Sequence, residues 1–107
     1  MNRGDSKMKN ALILNSKDTV GVLLESAKAG DTILIKGEKP VSIQAIDDIP
    51  YGHKIALTNI EKNESIYKYG YEIGESSSEI KQGEYVHVHN LDSLRGRGDL
   101  NKSFLSV

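Results

Sequence analysis

The sequence predicts an all-β domain. Three observations carry that expectation. A polar turn followed by an alternating strand occurs three times. No stretch sustains the long 3.6-residue apolar period of an amphipathic helix. The apolar residues are mainly Ile, Leu and Val, with no Trp and one Phe, and branched side chains suit a pleated surface.

The elements follow in order. The first ten residues, MNRGDSKMKN, are polar and are expected to be a flexible segment outside the fold. From Ala11, ALILN is a short apolar run, and TVGVLLES alternates before it thickens. LLESAKAGD reads as the end of a strand or as a single helical turn, and periodicity does not choose between them. The repeated phrase then appears as AKAGDTILIKG (27–37), IEKNESIYKYG (60–70) and IKQGEYVHVHN (80–90). In each copy Gly or Asn supplies the positive φ of a tight turn, an acid follows, and the next residues alternate. Ile33, Ile35, Ile66, Val86 and Val88 mark the expected core-facing positions. The copies are too unequally spaced for a solenoid.

Between the copies, Ile49-Pro50-Tyr51-Gly52 reads as a turn, with Pro fixing φ and Gly relaxing it. EIGESSSEI (72–80) reads as a polar crossing loop, with room for one helical turn begun by the serines. LDSLRGRGDLNKSFLSV alternates Arg and Gly, has little to bury, and reads as an exposed arm. The domain is accordingly drawn over residues 11–92, with segments 1–10 and 93–107 outside it.

A chain of 107 residues makes one domain with a modest core. Its formal net charge of −1, from 14 basic and 15 acidic residues, argues against nucleic acid as a partner. A small anion held by a few local cations is not excluded. No stretch approaches the roughly 20 apolar residues of a membrane helix, so no membrane span is expected. The charged N-terminus, followed only by ALIL, does not resemble a signal peptide. With no Cys there is no disulfide framework and no thiolate metal site. The expected location is the cytoplasm.

All three histidines fall in two marked phrases. His87 and His89, in GEYVHVHNL, are i and i+2 on an expected strand and so share a face. Two imidazoles so placed can hold one divalent ion at about 2.0–2.1 Å each. His53, in IPYGHKIAL, would arrive from a neighbouring loop as a third ligand, with Lys54 at the rim. An all-imidazole set accepts zinc, nickel or cobalt equally well. Two plainer readings stand beside this one. The pair is a solvent-facing polar row with no ligand, or the histidines transfer protons without a metal, since imidazole titrates near neutrality.

In this order, IPYGHKIAL, IYKYGYEIG, IKQGEYVHVHNL and SLRGRGD resemble the SAF-type domain of the altronate dehydratase family, which includes galactarate dehydratase and sulfolactate sulfo-lyase. The resemblance runs from about Asn10 to Asp99, nearly the whole globular part. It implies a β-clip fold, a compact twisted β arrangement with long crossings. It implies the removal of water, or of sulfite, from the β position of a hydroxy acid, with iron(II) as the metal. It also implies a large dehydratase subunit, because in the family this domain is either the N-terminal part of a long chain or a small subunit beside a large one.

The chemistry explains why such groups are wanted. Removing the proton next to a carboxylate creates an enolate-like dianion, which a divalent ion stabilises. A base takes the proton, and an acid or the metal helps the hydroxyl leave. His53, His87 and His89 are the candidates for acid–base work and for metal ligation. Lys54, Lys68, Arg95 and Arg97 are the candidates for holding the carboxylate of a small anionic substrate, Arg with two parallel hydrogen bonds. Tyr69 is a candidate phenol in the site. The plain alternatives are edge lysines that blunt aggregation, a solvated Arg–Gly tail, and an aromatic that packs. A domain of this size forms one wall of a sugar-acid site, so a partner chain is expected, while homo-oligomer formation stays open. Two rivals remain: a non-catalytic SAF-type module binding carbohydrate or a partner surface, and a structural subunit whose histidines only pack an interface.

Overall fold

The computed structural model describes residues 8–37 and 40–93. Among these the chain is all strand and turn, with no helix, as the alternating pattern predicts. The strands are β1 (Met8–Leu12), β2 (Val20–Leu23), β3 (Thr32–Lys36), β4 (Val41–Gln44), β5 (Lys54–Ala56), β6 (Ser65–Lys68), β7 (Tyr71–Ser76), β8 (Tyr85–Val86) and β9 (Leu91–Ser93). Six form one sheet in the order β4-β3-β1-β2-β5-β8, and three form a second in the order β6-β7-β9. β1 lies parallel to β3, and every other strand pairing is antiparallel. The curled large sheet with its small companion is consistent with the β-clip expectation.

Two apolar clusters fill the interior. Ala11, Leu23, Ile33, Ile35, Ile49 and Ile55 belong to the first. Val20, Ala56, Ile60, Ile66, Ile80 and Val86 belong to the second. β5 divides them, because successive strand residues point to opposite faces: Ile55 enters the first cluster and Ala56 the second. Lys54 shares the Ala56 face.

The repeated phrase is a structural unit, and it has a fourth copy. The four run Ala27–Ile33, Ile49–Ile55, Ile60–Ile66 and Ile80–Val86, and the first and last residue of each is buried. The fourth position has positive φ in all of them: Gly30 at 96°, Gly52 at 81°, Asn63 at 71° and Gly83 at 90°. In three copies the following acid accepts a hydrogen bond from the N–H three residues back. Lys28 donates to Asp31 at 2.9 Å, Glu61 to Glu64 at 2.8 Å and Lys81 to Glu84 at 2.9 Å. In the copy at 49–55 the acid is replaced by His53, and the residue three back is Pro50, which has no N–H to satisfy. The copies join in pairs through isolated antiparallel bridges, Ala27 with Ile49 and Ile60 with Ile80.

Several expectations need correction. β1 begins at Met8, three residues before the boundary drawn at Ala11, because Met8–Leu12 pairs in parallel with Thr32–Lys36. The segment read as a polar crossing loop is largely β7. A two-residue hairpin turn feeds it, with Tyr69 at φ 54° and Gly70 at φ 85°, the pattern of a type I′ turn. Its buried Ser76 gives its hydroxyl proton to Glu61 O and accepts the Glu64 N–H at 3.1 Å. Polarity there reflects satisfied burial. The strand expected over 85–90 stops at Val86. His87 to Asn90 is a turn, closed by the Asn90 N–H on His87 O at 3.0 Å and the His87 N–H on Asn90 Oδ1 at 2.9 Å. Val88 therefore stands at the turn's tip, 71% exposed, and not in the core. Ser93, drawn as the first residue of the arm, ends β9, and Leu91, which opens the phrase read as having little to bury, is buried in the same strand. Residues 1–7 and 94–107, which hold most of both outer segments, lie outside the described residues.

Candidate functional site

The turn that begins β5 presents His53, and β8 lies beside β5 with Tyr85 opposite Ile55. That register brings the Tyr85 hydroxyl to 2.6 Å from His53 Nδ1. The His87 ring lies over the Tyr85 ring, with centroids 5.6 Å apart and planes 9° from parallel. His87 and His53 have ring centroids 5.0 Å apart. The His89 ring meets the Tyr85 ring edge-on at 5.6 Å. The three histidines thus gather around one tyrosine. They do so from two turns, and not from one strand face.

Two side chains hold this arrangement. Asp47 Oδ2 accepts the Tyr85 N–H at 3.0 Å. Asn90, 1% exposed, accepts from the His87 N–H and donates through Nδ2 to Tyr85 O at 2.9 Å and to Glu84 Oε2 at 3.4 Å. Neither they nor Tyr85 stood out in the sequence, although Tyr85 is two residues before His87 and Asn90 ends the same phrase. Asn next to a histidine pair is a turn-closing signal.

The electrostatics are one-sided. Lys54 is 3% exposed, on a strand that β2 and β8 pair on both edges; it does not stand at the rim. Its ammonium pKa is pushed down to about 8, first by burial and then by the charge of Lys68. No carboxylate pairs with it among the described residues. His87 is held below the usual imidazole value, first by burial and then by Lys54, His53 and His89. Its Nδ1 is buried with no hydrogen-bond partner among the described residues. An imidazole with a buried, unpartnered ring nitrogen, near a buried ammonium that no carboxylate pairs among the described residues, is an unusual juxtaposition in a structural core.

The remaining candidates divide. Lys68 ends β6 with its Nζ 5.6 Å from the Tyr69 ring centroid, and its charge reaches Lys54. Tyr69 sits in the hairpin turn, its phenol pKa raised by burial and then by Asp18. Asp18 itself is committed to the N–H groups of Leu14, Asn15 and Gly70. Tyr69 therefore belongs to the packing between that loop and the hairpin, at the margin of the basic cluster. Arg95 and Arg97 lie outside the described residues. Among the described residues no group of three or more His, Cys, Asp or Glu side chains is arranged to hold a metal ion. His53 and His87 form a pair of neighbouring imidazoles, their ring centroids 5.0 Å apart.

Comparison with known proteins adds the following. The model of the altronate/galactarate dehydratase SAF domain matches residues 9–94. Altronate dehydratase of Bacillus subtilis is 43% identical over 83 residues, which cover 78% of this chain and 16% of that protein. The (2R)-sulfolactate sulfo-lyase subunit alpha of Chromohalobacter salexigens is 33% identical over 88 residues, covering 78% of this chain and 94% of that subunit. Altronate dehydratase of Escherichia coli is 32% identical over 77 residues, 72% of this chain and 15% of that enzyme. The chain therefore spans about a sixth of the altronate dehydratases and almost all of the sulfo-lyase subunit.

Proposed function

This chain belongs to the altronate/galactarate dehydratase SAF-domain family, and from that premise we propose that it is the SAF subunit or module of a hydro-lyase that dehydrates a sugar acid. It contributes one wall of a site that a large subunit completes, and it works in the cytoplasm. Among the described residues no helix is long and apolar enough to cross a membrane.

The observation that carries this reading is Lys54. Lys54 is buried with no carboxylate paired to it among the described residues, and the charge of Lys68 and the imidazole of His87 lie near it, a setting that favours an anion. A substrate carboxylate supplies one and restores the charge that burial disfavours. Lys54 and Lys68 hold that carboxylate. His53 and His87, with His89 across Tyr85, handle the proton of the departing hydroxyl or hold a divalent ion. That ion, iron(II) by the family resemblance, would stabilise the enolate-like charge created when the α-proton leaves. The base that removes the α-proton comes from the large subunit.

A second reading has its own support. The matched region takes in 94% of a sulfo-lyase subunit alpha, so the same wall serves a chain that loses sulfite. Both readings are tested by mixing the purified chain with its large subunit and assaying altronate, galactarate and sulfolactate. The expected result is no turnover by the chain alone and turnover on mixing. Release of sulfite selects the sulfo-lyase, and turnover by the isolated chain overturns the two-subunit reading.

A further inference from the structure

We propose that Tyr85 is a positioning residue that fixes the imidazole of His53 through Nδ1 and leaves Nε2 as its working atom, and that Pro50 makes this ring available. The proposal rests on the reading above that His53 belongs to the working site.

Three observations support it. The first is the internal repeat. At the position of His53 the other copies carry Asp31, Glu64 and Glu84, each spent on the N–H three residues back. Pro50 offers no such N–H, so the side chain at 53 has no turn to cap. The backbone turn still forms, with the His53 N–H on Pro50 O at 3.1 Å. The second is the 2.6 Å contact between the Tyr85 hydroxyl and Nδ1. The third is that Tyr85 is itself fixed, by Asp47 on its N–H and Asn90 on its carbonyl.

The proton assignment follows from acidity. A phenol is a far better acid than a neutral imidazole N–H, and an imidazole nitrogen is a better base than a phenol oxygen. The favoured bond therefore runs from the Tyr85 O–H to His53 Nδ1, which places the ring proton of neutral His53 on Nε2. An imidazole without a partner is free to turn and to exchange tautomers, and an anchored one is not. His87 has no such anchor, since Tyr85 only stacks on it.

Tyr85→Phe separates the two roles, because it removes the hydroxyl and keeps the ring that touches His87 and His89. In the isolated chain, nitrogen NMR of the histidine rings is expected to show His53 Nδ1 as an unprotonated acceptor, coupled across the bond to the Tyr85 hydroxyl proton. In Tyr85→Phe the His53 Nδ1 signal should move while those of His87 and His89 hold. Pro50→Ala, which returns a competing N–H to the turn, should weaken the same coupling. A proton on Nδ1 in the unaltered chain, or a His53 spectrum indifferent to Tyr85→Phe, overturns the proposal. These spectra need no substrate, metal or partner chain, so they stand or fall apart from the hydro-lyase reading. In the assembled enzyme Tyr85→Phe should lower kcat by about 10–100-fold with KM little changed, the usual effect of losing an orienting partner. Unchanged turnover there would remove the positioning role.

Discussion

His53 and His87 stand with their ring centroids 5.0 Å apart, one delivered by the turn into β5 and the other by the turn out of β8. The pairing of those two strands is what joins them. His87 contributes little to holding the fold, because its buried Nδ1 has no partner to lose. His87→Ala is therefore expected to change unfolding free energy by no more than about 1 kcal/mol, while abolishing turnover in the assembled enzyme. Urea unfolding and the mixed-chain assay check the two halves. A loss of several kcal/mol would make His87 a packing residue.

Asn90 should behave in the opposite way. Its side chain accepts one hydrogen bond and donates two from a fully buried position. Asn90→Ala leaves the Tyr85 carbonyl and the His87 N–H short of partners, which costs about 2–4 kcal/mol. The same change releases the turn that carries His87 and His89, so turnover should fall as well. Denaturant midpoint and activity are expected to drop together.

The repeat supplies a matched pair of glycine variants. Gly30 and Gly83 have similar positive φ values, 96° and 90°. A Cβ on Gly30 meets nothing within 4 Å, whereas one on Gly83 runs into the carbonyl oxygen of Gln44. Gly30→Ala should cost only the conformational penalty, about 1–2 kcal/mol. Gly83→Ala adds a backbone collision with a segment tied to it by the Ile46 N–H on Gly83 O, and it should fail to fold or lose several degrees more in Tm. Equal Tm losses in the two variants would remove Gln44 as the cause.

The sequence made the all-β class legible, because the turn-then-strand phrase is a local signal with a local cause: positive φ, a capping acid, an apolar residue at each end. It hid the fourth copy, since Pro50 and His53 replace the residues by which the phrase is recognised. It also misled at Val88. Alternation in YVHVH continues past the strand, and it is the turn closed by Asn90 that ends it. The convergence of His53 and His87 was legible as a family resemblance, but Tyr85 at its centre was not, because a tyrosine in a strand ordinarily packs. The burial of Lys54 was equally invisible, because it is a property of the packed fold, in which its strand lies between two others from distant parts of the chain.

Lys54 yields the sharpest test, since burial makes its charge a burden on the fold. Its folded pKa of about 8 lies below the ordinary 10.5. Below pH 8 both folded and unfolded chains hold the proton, and the burial penalty is present in full. Between pH 8 and 10.5 the folded chain has released it and the unfolded chain has not, so stability rises with pH across that window. Above it the penalty is gone. The shift corresponds to a cost on the order of 3 kcal/mol at neutral pH. Lys54→Met keeps the volume and removes the charge, so it should raise Tm by several degrees at pH 7 and flatten the rise above pH 8. A sugar-acid ligand should stabilise the unaltered chain and leave Lys54→Met unmoved, because it acts by supplying the missing counter-charge. Thermal unfolding at pH 7 and pH 10, with and without galactarate, reads all of this. If Lys54→Met is less stable at pH 7, the ammonium already has a partner in the fold, and the anion site built on it is wrong.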